Sequence, residues 1–203
     1  ILVCEEMPFL VRDHIQKSPG LVPGKARMLD ALTHIVTSDR NHPSVVIWDA
    51  QNETVTPETG TAISAVRGLD LSGRPWDNGW SPPQAPGDSL EQHIYHFSPW
   101  RSFDRFTLSD LARTERAPRS NEHKANDGRH AVIINEYAWL WLNRDGSPTT
   151  LTSGFYHHAL GEQASPAQRR HLYATHFAAE TEFWRSYREV AALMHFCSLG
   201  YSR

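Results

Sequence analysis

Between Asn41 and Glu53 the chain reads NHPSVVIWDAQNE, and this segment restricts the fold more than any other. Pro43 suits the first position of a strand, and Val45, Val46, Ile47 and Trp48 are β-branched or aromatic. The run is apolar on successive residues rather than on alternate ones, which describes a strand buried on both faces. Such strands belong to parallel sheets covered by helices. The run stops at a polar cluster, Asp49, Gln51, Asn52 and Glu53, as barrel strands do at the end where (β/α)8 enzymes place their chemistry. A carboxylate there is a candidate acid or base.

The rest of the chain alternates strand and helix. Ile1 to Val3 predicts a strand, and Met28, Leu29, Leu32, Ile35 and Val36 fall at helical spacing within Lys25 to Ser38. Thr56 followed by Pro57 and Glu58 predicts a capped helix start, with Ala62, Ile63 and Val66 as its apolar stripe. A short strand over Pro75 to Asp77 completes a βαβ unit. Further strands are predicted over Glu91 to Phe97 and over His130 to Ile134, the latter ending at Asn135-Glu136-Tyr137. Between them the segment from Ser98 to Arg129 offers one short helix, Leu108 to Thr114. Ser165-Pro166-Ala167-Gln168 is a capping box with proline at the first helical position. That helix is predicted to run to about Val190, before a last strand over Ala192 to Cys197. Alternation of this kind selects an α/β architecture with right-handed crossovers.

Composition narrows the function. The 203 residues are 39% hydrophobic and 21% charged, which suffices for one sizeable core, and one domain is expected. A net charge of -3 with acids and bases intermingled leaves no basic footprint for nucleic acid or anionic lipid. No apolar stretch approaches the roughly 20 residues that span a bilayer. Neutral substrates are the expectation. Cys4 and Cys197 read as buried thiols, since two cysteines make no disulfide framework. The twelve histidines show no ligand spacing that builds a metal site, so no metal is expected, and the paired-carboxylate chemistry read from the strand ends below needs no organic cofactor. Compartment and oligomeric state are not readable.

Glu53 and Glu136 each follow an asparagine at the end of an apolar strand. Equivalent strand ends bring such acids to one mouth of a barrel, and paired carboxylates are the equipment of glycosidic bond cleavage. A retaining glycosidase uses one protonated acid to donate to the leaving oxygen and one ionised carboxylate to attack the anomeric carbon.

At these residues the chain resembles the glycoside hydrolases of family 2, which include β-galactosidases, β-glucuronidases and β-mannosidases. Arg40-Asn41-His42-Pro43-Ser44 through Trp48 to Asn52-Glu53 resembles that family's fourth barrel strand, whose Glu is the acid/base. Asn135-Glu136-Tyr137 resembles the seventh, whose Glu is the nucleophile. Ile1 to Pro8 is similar to the third strand, Leu69 to Pro75 to the approach to the fifth, and His93-Ile94-Tyr95 to the sixth. Phe183-Trp184-Arg185 through His195-Phe196 is similar to the last helix and eighth strand. Where the family often has glycine, before the first Asn-Glu pair and after the nucleophile's aromatic neighbour, this chain has Gln51 and Ala138.

The resemblance implies a partial (β/α)8 TIM barrel over residues 1 to 203 with strands 3 to 8 present and strands 1 and 2 missing, a fragment of a longer multidomain protein. It implies a carbohydrate substrate, with Glu136 as nucleophile and Glu53 as acid/base. By the same resemblance Asn52 hydrogen-bonds the sugar 2-hydroxyl. Tyr95 is placed to hydrogen-bond the nucleophile and His93 to line the same mouth, while Trp139 and Trp141 offer flat faces on which a sugar ring can stack. The fragment alone is expected to be inactive and poorly soluble, because an incomplete barrel leaves open edges. The alternative is a relative that binds carbohydrate without cleaving it.

Overall fold

The computed structural model of the chain describes residues 2–7, 25–99, 107–113 and 129–197. The chain divides into two compact units, Ile1–Glu91 with Arg119–Val132, and Gln92–Pro118 with Ile133–Arg203. Most of the stretch between Ser98 and Arg129, Trp100 included, lies outside the described residues.

The first unit holds β1 (Val3–Glu6), α1 (Lys25–Asp39), β2 (Val45–Asp49), α2 (Pro57–Val66) and β3 (Trp76–Asp77). The sheet order is β1-β2-β3, and both pairings are parallel, with Val3 opposite Val45, Glu6 opposite Asp49 and Trp48 opposite Trp76. A strand expected at Ile1 to Val3 is thus found at Val3–Glu6, and Leu2 is 75% exposed. Pairing with β2, not local apolarity, decides where β1 lies.

Met28, Leu32 and Val36 of α1 and Ala62, Ile63 and Val66 of α2 pack on Val45, Trp48 and Trp76, all buried. Fully burying an aliphatic side chain of this size contributes about 1.5–3 kcal/mol. Successive side chains of a strand point to opposite faces, so Trp48 enters this core while Asp49 takes the other face. The β2 segment is therefore buried at Val45, Trp48 and Asp49 but only partly at Val46 and Ile47, and a carboxylate occupies part of its second face. Thr56 caps α2 by accepting from Thr59 N, with Pro57 in the first turn.

Arg74 fastens the turn before β3. Its Nη1 donates to Asp70 Oδ1 at 2.7 Å and its Nε to Val45 O at 2.7 Å, while its guanidinium lies 5.6 Å from the Trp48 ring centre. A second ion pair, Arg67 to Asp88 at 2.9 and 2.6 Å, is bidentate. Asp88 also accepts from the backbone N–H groups of Trp76, Gln84 and Ala85.

The second sheet has the order β4-β5-β6, formed by Leu90–Ile94, Val132–Tyr137 and Val190–Leu193. Two helices, α3 (Ser153–Leu160) and α4 (Pro166–Arg185), and a 3-10 turn at Leu108–Arg113 accompany it. The capping box that opens α4 is present, with Gln168 N donating to Ser165 Oγ and Ser165 N donating to Gln168 Oε1. The helix ends at Arg185, about a turn before the expected Val190. Ser186 N and Oγ both donate to Phe183 O, which tightens the last turn and diverts the chain into β6.

Helix α3 was not expected from the sequence. Its first-turn neighbour Thr152 makes no side-chain cap bond and donates instead to Trp141 O at 2.7 Å, so the usual start signal is absent. Strand β5 continues through Asn135 and Glu136 rather than stopping before them. The two cysteines are free and half-buried. Among the described residues no helix is long and apolar enough to cross a membrane.

Candidate active site

In the first unit the candidate residues follow β2 directly. Ala50 N donates to Asp77 O at 3.1 Å, extending the ladder one residue past Asp49, and the chain then turns through Gln51, Asn52 and Glu53. Glu53 is buried and its backbone has φ 43°. That is the left-handed region, which costs an L-residue other than glycine about 1–2 kcal/mol. The turn is held by Thr54, whose hydroxyl donates to Asn52 O at 2.5 Å and whose carbonyl accepts from Trp80 N at 3.1 Å. Asn52 is half-buried and Glu53 follows it immediately, so both leave the strand end expected of them.

The same unit carries a carboxylate group that sequence reasoning missed. Asp49, Asp77 and Glu91 are each at most 2% exposed, and each offers an oxygen within 4.8 Å of the others. Gln51 N donates to Asp49 Oδ1, and Asn78 N and Ser89 Oγ donate to Asp77. Burial first, and then the charges of Glu91, Asp77 and Glu6, push the Asp49 carboxyl well above the usual range. The Cys4 thiol is pushed up by burial and by the same carboxylates. Hard cations take oxygen ligands at such spacing, and among the described residues of the first unit these three side chains could hold one. The register Asp49 opposite Asp77 was the available sequence signal, and it needed the strand pairing to be read.

In the second unit the structure gathers the remaining candidates around Glu136. His93 and Tyr95, two residues apart, present their side chains to one side of β4 and its exit. Tyr95 Oη donates to Glu136 Oε2, and His93 Nδ1 lies 3.3 Å from the same oxygen. The Tyr95 ring meets Trp139 edge-on at 4.9 Å, and Trp139 packs on Trp141 at 4.4 Å. Trp139 Nε1 donates to Leu151 O at 3.2 Å and Trp141 Nε1 to Phe196 O at 2.6 Å, which fixes both indoles. Trp139 is 8% exposed and Trp141 1%, so the rings form a packed wall beside Tyr95.

Leaving β5, the backbone passes through positive φ twice, at Ala138 (91°) and Trp139 (54°). Ala138 stands where the resembling family often has glycine, and its conformation is one glycine adopts without strain. Tyr137 points to the opposite side, its hydroxyl 2.7 Å from Thr181 Oγ1 and its ring stacked on Phe177.

A second buried acid in this unit was also missed. Glu180 is fully buried, its Oε1 lies 3.3 Å from His96 Nδ1, and His96 stacks on Trp184. Burial raises the Glu180 carboxyl, and the His96 hydrogen bond opposes the shift. The signal was legible: Glu180 sits at helical spacing between Phe177 and Trp184, on the inward stripe.

Parallel strands covered by helices, with acids at the strand ends, define an α/β protein with its candidate chemistry at the C-terminal side of the strands. Residues 22–160 match the family described as glycosyl hydrolases family 2, TIM barrel domain. The chain belongs to that family. Among solved structures it is similar to a β-glucuronidase from Ruminococcus gnavus in complex with D-glucuronic acid, at 15% identity and a TM-score of 0.52, covering 97% of this chain and 32% of that one. The apo structure of the Ruminococcus gnavus enzyme matches at 16% identity and a TM-score of 0.53, covering 97% and 34%. A Faecalibacterium prausnitzii β-glucuronidase matches at 13% identity and a TM-score of 0.50, covering 85% and 28%. At these identities the likeness is one of fold. The chain spans about a third of the length of the solved structures it matches. No curated protein matches the sequence.

Proposed function

We propose that the protein carrying these residues is a retaining β-glycosidase that hydrolyses O-glycosidic bonds by double displacement. Glu136 is the nucleophile, attacking the anomeric carbon to form a glycosyl-enzyme. Glu53 protonates the leaving oxygen and then, as the base, activates the water that releases the sugar. In this reading β1 to β6 are strands 3 to 8 of a (β/α)8 barrel, with strands 1 and 2 outside the 203 residues. The chain as a whole is then one partial catalytic domain.

The observation that carries the proposal is the setting of Glu136. Tyr95 and His93 converge on one oxygen of its carboxylate, Oε2, contacts that steady an ionised carboxylate and support its reading as the nucleophile. Asn52 hydrogen-bonds the sugar 2-hydroxyl, His93 and Tyr95 line the site, and Trp139, backed by Trp141, forms its apolar wall. The sugar class is drawn from the similar structures, whose names include D-glucuronic acid and D-glucaro-1,5-lactone complexes; β-D-glucuronides, β-D-galactosides and β-D-mannosides are the substrates to try. The full-length protein, treated with the 2-deoxy-2-fluoro forms of these glycosides and digested for mass spectrometry, is expected to carry the label on Glu136. A label on any other residue, or none with any sugar, overturns the mechanism.

A further inference from the structure

We propose that Gln51 is a positioning residue for Glu53: its side-chain amide ties the strand exit to the turn at 78–81 and so keeps Glu53 in its left-handed backbone conformation. The inference rests on the reading of Glu53 as the acid/base. Gln51 is fully buried, two residues before Glu53, where the resembling family often has a residue with no side chain at all. Its Nε2 lies 2.8 Å from Asn78 O, 3.0 Å from Asn78 Oδ1 and 3.1 Å from Ser81 Oγ. Only an N–H can face a backbone carbonyl, so the orientation of the amide is set by Asn78.

The tie continues on the far side of Glu53. Trp80 N donates to Thr54 O at 3.1 Å, and Thr56 N donates to Ser81 Oγ at 3.1 Å. The acid is therefore bracketed, with Gln51 fastened before it and Thr54 and Thr56 fastened after it, all to one four-residue turn. Close approach is built into that turn. Gly79 has φ +53°, and a Cβ on it would lie 2.8 Å from Gln51 O, 2.9 Å from Gln51 Cγ and 3.3 Å from Thr54 O. A side chain at 79 would push the turn off the strand exit. A left-handed glutamate persists only where its surroundings hold it there, and these bonds are what holds it.

The test uses the full-length protein and its Gln51→Met, Gly79→Ala and Glu53→Gln variants. Methionine keeps the volume of Gln51 and removes its donors; Gly79→Ala strikes the same tie from the other side. Amide hydrogen exchange comes first: amides 52–56 are expected to exchange at least tenfold faster in Gln51→Met or Gly79→Ala, with those of α1 unchanged. Hydrolysis of paired methyl and 2,4-dinitrophenyl β-glycosides of glucuronic acid, galactose and mannose comes second. A leaving group as good as dinitrophenolate needs no proton. The variants are therefore expected to lose at least tenfold in kcat/KM on the methyl glycoside and less than twofold on the dinitrophenyl one. Glu53→Gln should show the same split more strongly. If Glu53→Gln shows no split, or the wild type cleaves none of the six glycosides, the reading of Glu53 fails and this inference with it. If Glu53→Gln shows the split but both tie variants lose equally on the two leaving groups, or keep amides 52–56 protected, the positioning role alone is overturned.

Discussion

Trp48 donates its indole N–H to Asp70 Oδ2 at 3.0 Å, joining the core strand to the turn that leads into the next strand. Asp70 also accepts from Ser72 N, Arg74 N and Arg74 Nη1, and Arg74 goes on to the carbonyls of Val45, Arg40 and His42. One carboxylate thus organises the edge of the first sheet.

Replacing Asp70 by alanine strands Arg74 and the Trp48 N–H in a buried place, and should destabilise the protein by about 3–5 kcal/mol. Burial by itself would raise the Asp70 carboxyl, but the hydrogen bonds from Trp48, Arg74 and Ser72 and the charge of Arg74 outweigh it and hold the group below the usual range. A lowered carboxyl contributes stability above its unfolded value, and that contribution is lost as pH falls through the folded one. Urea melts at pH 7 and pH 3 should therefore show the Asp70→Asn penalty shrinking in acid. A penalty equal at both pH values would leave the ion pair without an energetic role.

Asp49 has the opposite sign. Its raised carboxyl means that the folded state holds a proton which the unfolded chain releases, so the benefit exists in acid and disappears as pH rises. Asp49→Asn can still accept from Gln51 N and carries no charge toward Asp77 and Glu91. At pH 8 the variant should melt roughly 2–4 °C higher, the shift about 1 kcal/mol gives in a chain of this size. A lower melting temperature at pH 8 would show that the Asp49 charge is compensated in the native protein.

Ala138→Gly should stabilise, against the general rule for glycine. Relief of the positive φ at 91° is worth about 1–2 kcal/mol, and the added freedom of the unfolded chain costs about 0.5–1 kcal/mol. The net gain, roughly 0–1.5 kcal/mol, is read from urea melts. A loss would mean that the alanine methyl packs better than its backbone suffers.

Tyr95→Phe removes the hydroxyl that reaches Glu136 while keeping the ring against Trp139. On the proposed mechanism kcat should fall about 10²-fold, the usual effect of one preorganised donor, with the thermal transition nearly unmoved. An unchanged kcat would remove Tyr95 from the site.

The segment around Trp48 was readable because a strand buried by helices must be apolar on successive residues, and Thr56-Pro57 and the Ser165 to Gln168 box were readable because caps are local chemistry. Glu53 and Glu136 stood out for the same reason, each ending an apolar run. The position of β1 was not readable, since register with β2 sets it. The Asp49, Asp77 and Glu91 group was hidden because its members come from three strands, and no local pattern marks a carboxylate that faces inward. Helix α3 escaped because Thr152 spends its hydroxyl on Trp141 O instead of capping. Family resemblance supplied the roles of the two glutamates; the residues themselves supplied only two acids at strand ends.

The left-handed backbone at Glu53 also bears on how this lineage would drift. Glycine would occupy that conformation without strain, so the backbone at 53 prefers the one residue that has no side chain to serve as an acid. Selection for folding alone would therefore work against the glutamate. A glutamate at a position the backbone resists is in keeping with the acid/base role proposed for Glu53.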